Sequence, residues 1–199
     1  MMRVVLATHN AHKVQEFQNI LGQALPELEI VAYDGPEPVE DGVTFAENAL
    51  IKARTAAEHT GLPALADDSG ICVDVLQGAP GIFSARWAGH GKGDRANLEL
   101  LLDQLSDVRD EHRAASFACH IAVVVPETGF EQVVSGRWPG RLAREAAGVG
   151  GFGYDPIFLP EGLEVSAAEL TADEKNAVSH RARAFEAAIP VLRMNVIPD

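Results

Sequence analysis

The order in which strand-like and helix-like apolar patterns alternate constrains this chain more than any other feature. Arg3–Ala7 (RVVLA) reads as a buried strand; it breaks at Thr8–His9–Asn10, and Val14, Phe17, Ile20 and Leu21 then recur at helical spacing. Leu28–Tyr33 is a second strand, followed by the acidic, Pro/Gly-rich loop Asp34–Gly42. Thr44 and Glu47 form a capping box that opens a helix through about His59, ended by Gly61–Leu62–Pro63. A short strand then runs into an acidic turn, Asp67–Asp68–Ser69–Gly70, and apolar residues resume over Ile71–Leu76. Asp94–Leu105 carries a Leu-rich helical stripe. Ala115–Val125 and Glu131–Arg137 read as two antiparallel strands joined at Pro126–Glu127–Thr128–Gly129. A short Ile157–Leu159 segment and a capped start at Thr171–Glu174 follow, and Val178, Ala182, Phe185, Ile189 and Leu192 give a final apolar stripe. Strands that alternate with helices and are then interrupted by a hairpin predict an α/β fold with a mixed, twisted β-sheet and flanking helices.

Composition narrows the partners. With 199 residues, 47% of them hydrophobic, the chain is long enough to bury a real core, and no internal repeat divides it. One domain over residues 1–199 is the expectation. No stretch approaches the ~20 apolar residues of a membrane helix, and MMRVVLATHN is too short and too quickly polar for a signal peptide. A cytoplasmic protein with no membrane partner is expected. The formal charge of −13 repels a nucleic-acid backbone, so no nucleic-acid partner is expected either. A small anionic molecule can still bind where a few cations converge, and the only lysines are Lys13, Lys52, Lys92 and Lys175. Cys72 and Cys119 form no CxxC and read as reduced, buried residues.

The junctions between elements carry the candidate chemistry. Thr8–His9–Asn10–Ala11–His12–Lys13 lies where a strand passes into a helix. Backbone N–H groups there favour an anion, and Lys13 adds a full charge; an ordinary polar turn is the plainer reading. Glu40 and Asp41 sit in the acidic loop, and Asn48 and Lys52, four residues apart, share a helix face. Asp67 and Asp68 stand side by side between apolar runs, and their repulsion calls for a metal ion, a lysine or a shared proton. Hard carboxylate oxygens suit Mg²⁺, which takes one or two from protein and the rest from water and substrate phosphates. Gly148–Gly153 contains GxGxxG but has no strand before it and no helix after it, so it fails as a dinucleotide fingerprint. It reads as a cradle whose Phe152 and Tyr154 can stack on a base, or as a Gly-rich turn with core aromatics. Lys175 and His180 would point ~140° apart in one continuous helix. Either the helix breaks near Ser179, the favoured reading, or the two serve different parts of a ligand.

Taken in order, LATHNAHK, TFAENALIKA, ALADDSGICVD, GAPGIFSARWAG, GGFGYDPIF and ELTADEKNAVSHRA resemble the inosine/xanthosine triphosphate pyrophosphatase family, over nearly the whole chain. The resemblance implies an elongated ITPase-like domain with two lobes around a central cleft, a homodimer, dependence on Mg²⁺, and hydrolysis of deaminated purine nucleoside triphosphates to monophosphate and pyrophosphate. Carried over, Thr8, His9, Asn10, Ala11, His12 and Lys13 would bind the triphosphate. Glu40 and Asp68 would hold the metal, Asp68 would also accept a proton, and Ser69 would contact substrate. Phe152, Gly153, Tyr154 and Asp155 would surround base and sugar, joined by Lys175, His180 and Arg181. His12 stands where family members commonly carry glycine, which bears on close backbone approach at that turn.

Phosphoryl transfer asks for charge neutralisation and in-line positioning more than for covalent help. Asp68 would orient or deprotonate a water that attacks the α-phosphorus, with Lys13, Lys52 and Lys175 balancing the departing pyrophosphate. An oxygen at purine C6 satisfies a buried donor such as Arg181 or His180, whereas the amino group of adenine does not. The rival readings are a related pyrophosphatase for pyrimidine or modified nucleotides, a phospho-accepting domain, and a nucleotide-binding regulator without turnover.

Overall fold

The structure, a computed structural model, describes residues 1–9 and 11–197, without the side chains of Ala11, His12 and Glu16. Among the described residues six strands hydrogen-bond in the order β2-β1-β3-β4-β5-β6: β1 (Met2–Leu6), β2 (Leu28–Ala32), β3 (Ala64–Val73), β4 (Ala114–Val125), β5 (Phe130–Leu142) and β6 (Phe158–Pro160). β1 runs parallel to both β2 and β3, and β5 runs antiparallel to β6. The sheet is therefore mixed, as the alternation of patterns predicts. The α-helices among the described residues are α1 (Ala11–Ala24), α2 (Phe45–Thr60), α3 (Gly93–Gln104), α4 (Ala172–Val178) and α5 (His180–Asn195), which flank the sheet.

The chain divides into two compact units, the first made of Met1–Asp68, Cys119–Gly136 and Arg183–Asp199, the second of Ser69–Ala118 and Arg137–Ala182. In the first, α1 buries Phe17 and Leu21, and Phe17 meets Phe185 edge-on at 4.5 Å. α2 turns an alanine face (Ala49, Ala53, Ala56, Ala57) onto Val5, Ala64, Ala66 and Ala122. Side chains that small bring helix backbone close to strand, which is how α2 carries its polar residues up to β3. In the second unit Leu98 and Leu101 of α3 pack with Ile71, Val73, Trp138 and Phe158.

Local chemistry explains most boundaries. Thr44 caps α2 by accepting from the Glu47 amide, and Gly61, at φ +67°, closes it with a bond to Ala57 O. The Glu47 carboxylate accepts from Val43 N–H at 2.6 Å, one residue earlier than a capping box requires. At α4 the box is complete between Thr171 and Glu174. The break near Ser179 is real: α4 stops at Val178, and Ser179 accepts from the Ala182 amide to start α5.

Two expectations are corrected. Asp67–Asp68–Ser69–Gly70 is no turn but the middle of the ten-residue strand β3. Turn-forming residue types are overridden there by the continuous strand, which β4 borders; β1 pairs with β3 only at Ala64 and Leu65. The final stripe also loses its first member: the break at Ser179 leaves Val178 exposed on α4, while Phe185 and Leu192 are buried on α5 with Ala184, Ala188 and Val191, and Ile189 packs against them.

Candidate active site

In the first unit the site grows out of β3. Successive strand residues face opposite sides of a sheet, and the two aspartates have different partners. Asp67, 4% exposed, accepts from Lys13 Nζ through both oxygens, at 2.9 and 3.1 Å. Asp68 accepts from Lys52 Nζ at 3.3 Å and from Asn48 Nδ2 at 3.4 Å. Asn48 and Lys52 do share a face of α2, and it is the face turned to Asp68. Lys52 Nζ also lies 3.2 Å from Glu40. Asn48 reaches the same acidic loop, taking the Gly42 amide at 2.9 Å.

The electrostatics follow from that crowding. Burial works against the Lys52 ammonium, but Asp68, Glu40 and Asp67 outweigh it, so its pKa ends above the ordinary value. Burial pushes Asp68 up; Lys52 pulls it back and Glu40 pushes it up again, leaving it above the ordinary carboxylate value.

His9 ties the strand–helix motif to the loop that bears Glu40. It stacks on Tyr33 at 5.7 Å, with Nε2 at 3.0 Å from Gly35 O and Nδ1 at 2.9 Å from Glu37. Thr8 is half-buried at the end of β1. Asn10 lies outside the described residues, and Ala11 and His12 are described only as the start of α1, so the effect of His12 stays a sequence expectation. Thr8, Lys13, Glu40, Lys52 and Asp67 line a cavity of ≈ 230 Å³. Asp67 is the residue that sequence reasoning missed. Its signal was the strand period: in a continuous strand the first aspartate must face away from the second.

The second unit holds the other predicted residues. Asp155, 2% exposed, accepts from Phe152 N–H at 2.8 Å and from Lys175 Nζ at 2.5 Å. A Cβ on Gly151 (φ +70°) would run into the Asp155 carboxylate, so only glycine lets that turn close. The Gly153 amide donates to Asp94 at 3.1 Å. Phe152 is 61% exposed, with Lys175 Nζ 4.6 Å and the Arg181 guanidinium 5.9 Å from its ring centre. Tyr154 is buried in the core, its hydroxyl donating to Ser84 O at 2.8 Å, so its ring supports the loop from beneath. His180 is buried too, stacked on Phe117 at 4.9 Å. Ser69 is half-buried in β3. Cys72 and Cys119 are unbridged; Cys119 is buried as expected, whereas Cys72 is only half-buried.

The oxygen set suits a hard divalent ion. No cluster of three or more His, Cys, Asp or Glu placed to hold a metal occurs among the described residues. Glu40 and Asp68 nonetheless converge on one point, the Lys52 ammonium, and two carboxylates are what Mg²⁺ takes when waters and phosphates complete its shell.

A profile described as the Ham1 family matches residues 4–191. Over 193 residues the chain is 67% identical to the dITP/XTP pyrophosphatase of Leifsonia xyli subsp. xyli, covering 97% of this chain and 96% of that one. It is 57% identical over 197 residues to the dITP/XTP pyrophosphatase of Streptomyces coelicolor, covering 97% and 98%. Among solved structures, a HAM1 protein from Coxiella burnetii matches with a TM-score of 0.89 at 43% identity, covering 98% and 100%. The nucleoside-triphosphatase / dITP/XTP pyrophosphatase from Mycobacterium abscessus matches at 0.82 and 50% identity, covering 95% and 100%.

Proposed function

The chain belongs to the Ham1 family, and we infer from that membership that it hydrolyses non-standard purine nucleoside triphosphates (XTP, ITP and dITP) to the monophosphate and pyrophosphate, cleansing the nucleotide pool. The observation that carries the mechanism is the convergence of Glu40 and Asp68 on Lys52 beside a cavity lined by Lys13. In this reading Glu40 and Asp68 hold Mg²⁺, which supplies charge neutralisation at the phosphates and polarisation of the α-phosphorus. Asp68 orients or deprotonates the attacking water. Thr8–Lys13 and Lys52 bind the triphosphate, and Lys13, Lys52 and Lys175 offset the charge of departing pyrophosphate. Phe152 stacks on the base, with its exposed ring and two flanking cations in support. Gly153, Tyr154 and Asp155 shape that loop, Ser69 contacts substrate, and Arg181 and His180 read the C6 oxygen.

The same reading takes residues 1–199 as one domain with two lobes, working as a homodimer in the cytoplasm on free nucleotides rather than nucleic acid. Light scattering after size exclusion tests the dimer. A turnover panel of ITP, dITP, XTP, ATP, GTP and dTTP, each with and without Mg²⁺, tests the function. Pyrophosphate from the three deaminated purines alone, and only with metal, is the expected result. Orthophosphate as the product, preference for dTTP, or binding without turnover would each overturn it.

A further inference from the structure

We propose, on the strength of that functional reading, that Asp67 is a positioning residue for Lys13: it fixes the ammonium in the wall of the phosphate cavity and acts on the substrate only through it. Lysine is a compact charge on a flexible four-carbon stem, and left alone it samples many positions. Here both oxygens of one carboxylate accept from Nζ, at 2.9 and 3.1 Å, and that carboxylate belongs to a strand rather than to a loop. The Asp67 side chain is 3% exposed and the Lys13 side chain 31%. The rigid partner is therefore buried in the fold, while the cation it holds reaches the cavity that both residues line.

Strand geometry separates this pair from the one beside it. Asp68 bonds to Asn48 and Lys52, the lysine that also meets Glu40. Asp67 sits one residue earlier and so on the opposite face. The two aspartates thus divide the work: Asp68 belongs to the metal and water side, and Asp67 to the placement of a phosphate-binding cation. A preplaced donor meets the substrate without first being ordered, and misplacing such a group by about 1 Å costs on the order of 100-fold in rate.

The test is a double-mutant cycle on the full-length enzyme with ITP and Mg²⁺, using Asp67→Asn, Lys13→Gln and the two together. Asp67→Asn keeps the side-chain volume and lowers kcat/KM by about 10- to 100-fold, raises the inhibition constant of added pyrophosphate, and leaves the Mg²⁺ concentration for half-maximal rate unchanged. In the Lys13→Gln background the same change costs less than about twofold, because there is no ammonium left to place. Should Asp67→Asn misfold alone, the double variant, in which neither charge is stranded, is compared with Lys13→Gln and matches it. Effects that multiply in the double variant, or a shifted Mg²⁺ requirement, would overturn the proposal and make Asp67 a structural residue or a metal ligand. Failure of the wild-type enzyme to release pyrophosphate from ITP would instead overturn the functional reading beneath it.

Discussion

Asp67 binds Lys13 and Asp68 binds Lys52, so two carboxylates joined by one peptide bond are matched to different cations. A continuous strand makes this possible by sending successive side chains to opposite faces. The repulsion between adjacent acids is relieved by geometry and lysines, and Asp68 is left facing Glu40, where further positive charge is favoured.

Asp68→Asn lowers kcat by about 10²–10⁴-fold, the usual worth of a positioned proton acceptor. The same change does not destabilise the protein at neutral pH. Burial first, and Glu40 second, raise the Asp68 carboxyl above its ordinary value of 3.8, against the pull of Lys52. A folded-state pKa above the unfolded one means that stability is lost as pH rises through that range. Thermal melts compare the two proteins: the Asn variant gains on wild type in Tm as pH rises from about 4 to about 7.

His120 gives the opposite sign. Its ring stacks on Phe45 at 5.7 Å, its Nδ1 is buried without a hydrogen-bond partner among the described residues, and burial lowers its pKa below 6.5. The unfolded chain takes up the proton first, so this contribution to stability is lost as pH falls below about 6.5. His120→Phe, read against wild type in Tm at pH 7 and pH 5, removes that part of the acid sensitivity.

Arg181→Ala narrows the ratio of kcat/KM for ITP over ATP, because it removes a donor assigned to the C6 oxygen. Sites that hydrogen-bond a substrate group reject the wrong analogue by about 10⁴ or more. Paired rate measurements on the two nucleotides check it, and an unchanged ratio would move the selectivity elsewhere.

Arg113 holds the second unit together. It is 2% exposed, and its guanidinium donates to the carbonyls of Leu142, Leu105 and Ala143 at 3.0, 2.6 and 2.8 Å. Arg113→Met leaves those carbonyls without their donor and lowers unfolding stability by about 3 kcal/mol in urea denaturation. Lysine at that position does not rescue it, since one ammonium cannot span the three carbonyls that a planar fork reaches.

What the sequence made legible depends on whether the signal was local. Thr44 and Gly61 bound α2 through contacts a few residues long, and the Ser179 break was legible from the ~140° conflict between Lys175 and His180. The DDSG segment was misread because its residue types favour turns, while it lies inside a ten-residue strand whose neighbour β4 is remote in sequence. That error hid Asp67, whose role depends on which face of β3 it occupies. Tyr154 shows the same limit: an aromatic in a glycine loop reads as a stacking platform, and only the fold reveals its hydroxyl bound to Ser84 O, 70 residues away.

The central claim, attack of water on the α-phosphorus of a deaminated purine triphosphate, is tested most directly by hydrolysing ITP in ¹⁸O-labelled water and weighing both products. The account predicts the label in the monophosphate and none in the pyrophosphate. Label in the pyrophosphate would place the attack on the β-phosphorus and contradict the role given to Asp68.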